Sequence, residues 1–298
     1  MIMRKKFFQG LLIILCSMAY SQKIIVMDSL NKKPISFVKI QTSKDAGLYS
    51  DENGFFDLNK DVSDTLYLSH NLYPDFAIAT KNIKDTIFLI NKASLIDEIV
   101  LTKKEKTLIN IDFLKRPFHY PDYPLTSNTE LLSLVIPNPR ISNLRIREIK
   151  FAFRKKTYFD RDAATDSKPV IRINLYYLDQ DNKKEKLYSS EAFVIDKSKK
   201  NFISVDLSNK RILLYENGLY VGIESIGNIN QDGRLTNEKI TVRPLLTEKK
   251  SIDYSITTYY KNTFNGIEAM TPINDSLLEM TGEKSIHRQL SFGMTLLK

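Results

Sequence analysis

Beyond its first two dozen residues, the chain runs in short segments of alternating apolar and polar side chains, punctuated by Gly, Pro, Asn, Asp and Ser. Successive side chains of a β-strand point to opposite faces, so a period of two marks a strand buried on one side. Within residues 35–42, Ile35, Phe37, Lys39 and Gln41 alternate with Ser36, Val38, Ile40 and Thr42. Within 64–70, Leu66 and Leu68 alternate with Thr65, Tyr67 and Ser69, and residues 86–90 and 96–101 are further strand candidates. The second half repeats the pattern. Ile149, Phe151 and Phe153 alternate with Lys150, Ala152 and Arg154, and Ile171, Ile173, Leu175 and Tyr177 with Arg172, Asn174 and Tyr176. Ile203, Val205 and Leu207 alternate with Ser204 and Asp206, and Leu219, Val221 and Ile223 with Tyr220, Gly222 and Glu224. No long stretch has the 3.6-residue period of a helix. Short strands with turn signals between them predict an all-β chain of antiparallel sandwiches, each strand with one core face and one solvated face.

The punctuation supplies the boundaries. In residues 47–58, GLYSDENGFFDL, Asp51 and Asn53 suit a turn and Gly54 suits a positive φ, which predicts a hairpin whose Phe55 and Leu58 reach the core. The competing reading, a calcium site on Asp51, Glu52 and Asp57, has no spacing that forces the carboxylates together. Pro117, Pro121 and Pro124 keep residues 116–124 out of regular helix. Residues 127–135 read as one short helix, capped by Ser127 or Asn128 and ended by Pro137 and Pro139. The expected organisation is a signal peptide over 1–21, a first β-sandwich over 22–102, a proline-containing linker with a possible short helix over 103–143, and a second β-sandwich over 144–298.

The first 22 residues, MIMRKKFFQGLLIILCSMAYSQ, are set apart by Arg4, Lys5 and Lys6 ahead of an apolar run, with Ala19 and Ser21 at the −3 and −1 positions of a cut before Gln22. That is the build of a secretory signal peptide, and the run is too short for a membrane span. The single cysteine, Cys16, lies inside it and follows Ile13, Ile14 and Leu15, where a lipidation site needs small residues. An exported mature chain without cysteine has no disulfide, no zinc–thiolate site and no cysteine nucleophile, and must be held together by its core. Formal charge is +9, three of it from the signal. The basic clusters at 154–156, 183–184, 199–200 and 249–250 are scattered over strand ends and loops, not gathered into the stripe that nucleic acid requires.

Residues 23–101 carry an ordered set: Val26 and Asp28, Lys33-Pro34-Ile35, Val38-Lys39-Ile40, Gly47, Ser50-Asp51-Glu52-Asn53-Gly54-Phe55-Phe56, Asp64-Thr65-Leu66-Tyr67-Leu68-Ser69, and Leu95 to Leu101. This set resembles the carboxypeptidase regulatory-like domain, a transthyretin-like β-sandwich common in exported proteins of Bacteroidetes. It departs from the family's pattern in lacking a glycine in Ile24-Ile25-Val26-Met27 and in having Asn71-Leu72-Tyr73-Pro74 where Gly-Tyr is usual. The resemblance implies an envelope location and a non-catalytic domain that precedes a receptor, a peptidase or a domain of unknown role. The strand order of residues 144–298 more loosely resembles a jelly-roll-like module. A receptor barrel does not fit in the residues after Leu101.

Catalytic signatures are sparse. His70, His119 and His287 belong to no His-Glu-x-x-His helix, and there is no Gly-x-Ser-x-Gly elbow, Walker loop or dinucleotide fingerprint. His119, among Phe118, Tyr120 and Pro121, is expected to pack at the domain junction. Residues 228–238, NINQDGRLTNE, have the Asx spacing of a calcium loop with glycine sixth, but Asn228 stands first and Glu238 falls eleventh with Lys239 twelfth. A β-loop with at most a weak calcium site is expected there. Glu224 is the first suspect for a paired-carboxylate glycosidase, although a solvated strand face is the expected role. Exposed Tyr220, Tyr259 and Tyr260 would suit stacking on sugar rings. The expectation is therefore a non-catalytic exported envelope protein, without catalytic, cofactor or metal residues, acting as a structural or protein-interaction module. Its partner is an envelope protein or a surface polysaccharide, not nucleic acid, and the alternative is a carbohydrate-binding module at the cell surface.

Overall fold

The computed structural model describes residues 22–58, 62–91, 108–111, 122–154, 167–178, 184–195, 202–236, 240–248, 250–266, 269–275 and 288–298. The expected signal peptide with Cys16, the strand expected at 96–101, His119, His287, and Glu238 and Lys239 of the calcium-like loop lie outside these residues. The described chain is all-β and forms two sandwiches.

The first sandwich contains β1 (Gln22–Asp28), β2 (Lys39–Gln41), β3 (Gly47–Tyr49), β4 (Phe55–Leu58), β5 (Thr65–His70), β6 (Tyr73–Ala79) and β7 (Thr86–Leu89). One sheet has the order β4-β1-β7, with β7 parallel to β1, and the other the order β3-β2-β5-β6. The alternation read from the sequence places the core. Ile24, Val26, Phe56, Ile87 and Leu89 from one sheet meet Val38, Ile40, Leu66 and Leu68 from the other.

The segment GLYSDENGFFDL turns back as expected, but it is not a two-strand hairpin. β3 and β4 lie in different sheets, so the turn is a corner between layers. Asp51 closes it. Its Oδ1 accepts from Asn53 N and Phe55 N, both at 2.9 Å, and Gly54 takes φ 78°. Phe56 and Leu58 enter the core, while Phe55 is half-buried beneath the Lys23 ammonium, 4.2 Å from its ring centroid. The Asp51 carboxylate is thus occupied with backbone amides. The sequence alternation over 35–42 also breaks at Phe37, whose φ is 55°. Positive φ is costly for a bulky side chain. The break lets Ile35 and Val38 share the core while Phe37 points out of the sandwich.

The second sandwich contains β8 (Leu108–Ile111), β9 (Leu125–Thr126), β10 (Thr129–Pro137), β11 (Arg145–Ala152), β12 (Lys168–Leu178), β13 (Lys184–Ser189), β14 (Phe193–Val194) and β15 (Phe202–Asp206). It continues with β16 (Leu219–Ile229), β17 (Ile240–Val242), β18 (Leu246–Thr247), β19 (Tyr254–Asn262), β20 (Thr271–Pro272), β21 (Gln289–Leu290) and β22 (Phe292–Leu297). The larger sheet has the order β13-β12-β16-β10-β19-β20, with β14 also paired to β12, and faces a smaller sheet β15-β11-β22-β8. Ile171, Ile173, Val221, Ile223 and Leu131 meet Ile149, Phe151, Phe292 and Met294 between them.

Two expectations are corrected here. The short helix expected over 127–135 is β10, hydrogen-bonded to β16 on one side and β19 on the other. Its apolar run looked helical because a central strand buried on both faces loses its alternation. Residues 108–111, expected in the linker, form β8 and pair with β22 of the second sandwich.

Gly54→Ala should destabilise the chain. A left-handed non-glycine residue costs about 1–2 kcal/mol, and the new Cβ would lie 2.8 Å from the Val26 carbonyl oxygen. A lower urea midpoint with an unchanged m-value is the expected result.

Candidate functional site

The polar positions of the sequence pattern gather on the outer face of the larger sheet, and part of that face is buried under the first sandwich. Every residue of β16 is buried. Leu219, Val221 and Ile223 face the core of the second sandwich. On the other side, Ile226 and Ile229 pack with Val170 and Phe264 against Phe37 and Tyr49 of the first sandwich. The Tyr49 and Phe264 rings are 5.6 Å apart.

Beside this apolar seam lies a row of charges fixed by strand register. Arg172 on β12 is opposite Glu224 on β16, Glu224 is opposite Glu130 on β10, and Glu130 is opposite Lys261 on β19. The row therefore reads plus, minus, minus, plus across four neighbouring strands. Glu130 and Glu224 are 0% and 1% exposed. Like charges facing each other on adjacent strands repel, and buried carboxylates must be paired. Asn174 stands between the two, its Nδ2 donating to Glu130 Oε1 at 2.9 Å and to Glu224 Oε2 at 2.7 Å. Ser189 Oγ donates to Asn174 Oδ1 at 2.7 Å, which fixes that amide orientation.

The remaining oxygens are also engaged. The Tyr176 hydroxyl donates to Glu130 at 2.9 Å, and Lys261 Nζ is 3.2 Å from Glu130 Oε2. The Tyr49 hydroxyl reaches across from the first sandwich to donate to Glu224 Oε1. Arg172 Nη1 lies 3.9 Å from Glu224 Oε2, and its Nη2 donates to the Phe37 carbonyl at 2.9 Å. The positive φ of Phe37 thus presents a carbonyl to the other sandwich. Lys39 Nζ donates to the Thr263 carbonyl at 2.7 Å. Gly222 makes room for the pair, since a Cβ there would lie 2.7 Å from Glu130 Oε1 and 2.9 Å from Leu132 Cδ2.

Burial pushes the Glu224 carboxyl up, but Arg172, Lys186, Lys39 and the Tyr49 hydroxyl outweigh it and hold it below the ordinary carboxylate range. Burial and the adjacent Glu224 push Tyr49 far up, and burial and Glu130 do the same to Tyr176. Burial draws Lys39 down to about 8, opposed by Glu224 and Glu130 and assisted by Lys186 and Lys261. Burial, together with the Arg172 cation, draws His70 down to about 4.

Glu224, the suspected carboxylate, does converge with a second one, but both are saturated with donors instead of lying on a solvated strand face. Glu130 escapes the sequence reading because its strand reads as a helix; the signal for it is a lone charge directly before the apolar stretch Leu131 to Ile136. Of the three tyrosines suited to sugar stacking, Tyr220 is 5% exposed and packs near Tyr259, with ring centroids 6.4 Å apart, while Tyr259 and Tyr260 are half-buried and the Tyr260 ring lies tilted 5.9 Å from that of Tyr123.

In the calcium-like loop, Asn230 Oδ1 accepts from Asp232 N and Arg234 N, both at 3.0 Å, and Gly233 takes φ 75°. That turn docks against the first sandwich. Glu52 N donates to the Gly233 carbonyl and Asn53 Nδ2 to the Asp232 carbonyl, each at 3.0 Å. Among the described residues, no group of three or more His, Cys, Asp and Glu is placed to hold a metal, and no helix is long and apolar enough to cross a membrane.

No protein family, curated protein or solved structure matches the chain.

Glu224→Gln should cost about 3 kcal/mol, because it leaves Arg172 and the nearby lysines without compensation. Gly222→Ala should cost about 1–3 kcal/mol through crowding of Glu130. Urea denaturation checks both. Acid should also weaken the fold in two limbs. His70 binds its proton in the unfolded chain but resists it in the folded one, so its contribution is lost as pH falls from the ordinary histidine value to about 4. The Glu224 contribution is present above the ordinary glutamate value and is lost below it, as pH falls through the folded value. His70→Gln should flatten the first limb of a plot of urea midpoint against pH and leave the second.

Proposed function

We propose that the chain is a non-catalytic exported protein of the cell envelope, in the periplasm or at the outer membrane surface. It acts as a structural or protein-interaction module whose first sandwich is a carboxypeptidase regulatory-like domain. One observation carries the non-catalytic part. The two converging carboxylates of the molecule's main polar site are sealed between the sandwiches and hydrogen-bonded to Asn174, Tyr176 and Tyr49. A glycosidase pair needs a sugar ring, and in one mechanism a water, between its carboxyl groups. Here the side chain of Asn174 occupies that place. The signal-like leader and the absence of cysteine after it support export.

The same seam supports a passive, structural role. It joins the sandwiches through an apolar cluster, the Tyr49–Glu224 hydrogen bond and the docked turns at Asn53 and Gly233. A partner would then meet one rigid body instead of two tethered domains. The alternative, a carbohydrate-binding module at the cell surface, draws support from a hydroxyl- and amide-rich groove between the sandwiches that includes Ser69, Asn71, Ser189 and Ser190.

Crosslinking of the tagged full chain in its own cells, followed by fractionation, tests the assignment. The expected product is a leaderless chain in the envelope fraction joined to one discrete envelope protein. Recovery in the cytosol with the leader retained would overturn the reading, as would turnover of a glycoside that Glu224→Gln abolishes. Attachment to polysaccharide alone would move the assignment to the carbohydrate-binding module.

A further inference from the structure

His70 closes the end of β5 and lines the groove of about 770 Å³ between the two sandwiches. Its contacts are those of a neutral imidazole. Nδ1 accepts from Leu72 N at 3.3 Å, and a proton on that nitrogen would set two donors against each other. The ring also packs on Tyr73, with centroids 5.4 Å apart. Across the seam stands Arg172, 4% exposed and fixed by its bond to the Phe37 carbonyl. Burial, joined by the Arg172 cation and opposed by a hydrogen bond to the Ser36 backbone, holds His70 at about 4.

The other groups around the groove do not reverse this. Lys39 on β2 and Lys186 on β13 add positive charge. Asp75 on β6, Glu191, Asp206 on β15 and Lys210 are exposed at its rim, where water and salt screen them. Tyr73 donates its proton to Asp28, and burial raises Tyr188, so both stay neutral. Lys39 follows the same logic as His70 at higher pH. It belongs to the first sandwich, but its Nζ donates to the Thr263 carbonyl at 2.7 Å and lies 5.2 Å from the Phe264 ring centroid, both on the second. Burial there draws it down to about 8. Two basic groups of the first sandwich therefore bind protons less tightly when docked than in water. Each sandwich has a core of its own, and the seam is a third, separate cluster.

We propose that the docking of the two sandwiches is a proton-sensitive switch, in which protonation of His70 in mild acid opens the seam while each sandwich stays folded. The sign follows from linkage. An undocked His70 takes up a proton below its ordinary value and a docked one resists it, so docking weakens as pH falls between the two. Lys39 weakens docking as pH falls from its ordinary value to about 8, and adds nothing further below that. Glu224 contributes only below the ordinary glutamate value. Among the described residues His70 thus titrates alone between about pH 7.5 and 5, and the docking constant should fall by up to about thirtyfold over that range.

Thiol exchange tests this in the full chain carrying Cys16→Ser, which is otherwise free of cysteine. Val170→Cys and Ile226→Cys each place one thiol in the seam, and Val38→Cys and Val221→Cys place one in either core. Reaction with dipyridyl disulfide, divided by the rate in denaturant at the same pH, reads how often each site opens. From about pH 7.5 to 5 the seam thiols should open about tenfold to thirtyfold more often, and the core thiols should change by less than about threefold. His70→Gln should abolish the rise at the seam. Equal rises at seam and core would mean global unfolding and would overturn the proposal. So would seam thiols whose opening ignores pH, or a rise that His70→Gln leaves intact.

Discussion

Two glutamates facing each other on neighbouring central strands are the constraint around which the rest of the molecule is arranged. Register alone sets Glu130 against Glu224, and the covering first sandwich removes the water that would screen them. Each further feature of the seam follows from supplying both carboxylates with donors. Arg172 and Lys261 stand at the next register positions outward, Asn174 donates to both at once, and Tyr49 and Tyr176 supply neutral donors. Gly222 leaves the space that the carboxylate of Glu130 occupies. Replacing such a network with apolar side chains is often neutral or stabilising. Here it also joins the sandwiches, since the Tyr49 hydroxyl donates to Glu224 and Arg172 donates to the Phe37 carbonyl across the seam.

The first sandwich is shaped for that placement. The Asp51–Gly54 corner carries the chain from one sheet to the other, and its outer edge supplies Glu52 N and Asn53 Nδ2 to the opposing turn at Asp232 and Gly233. Phe37 leaves the period-two pattern of its segment and takes a costly backbone conformation to pack in the seam. The two loops with the most metal-like sequences, 50–54 and 228–238, thus share one structural task. Their Asx side chains organise the backbone of two turns that dock on each other. The docking is polar at its edge and apolar beneath, as interfaces between domains of one chain commonly are.

Taken by itself, the amino-acid sequence determined the all-β class, the positions of the strands with a clear period of two, such as β5, β12 and β16, and which of their faces meets the core of its own sandwich. Period-two burial is a local property: Leu66 and Leu68, Ile171 and Ile173, and Val221 and Ile223 stand two positions apart, which puts each pair on the same, core-facing side of its strand. It also marked Gly54 as a residue at positive φ, since turn chemistry is local too. The sequence did not disclose the fate of the polar faces, because a half-buried strand and a strand buried under a second domain read alike when the second cover brings its own polar partners. Glu224, Arg172 and Asn174 looked solvated for that reason, and Glu130 was hidden in a segment whose two-sided burial erased the alternation of β10. Only the tertiary structure decided that these residues share one row, because strand register and domain docking relate positions far apart in the chain.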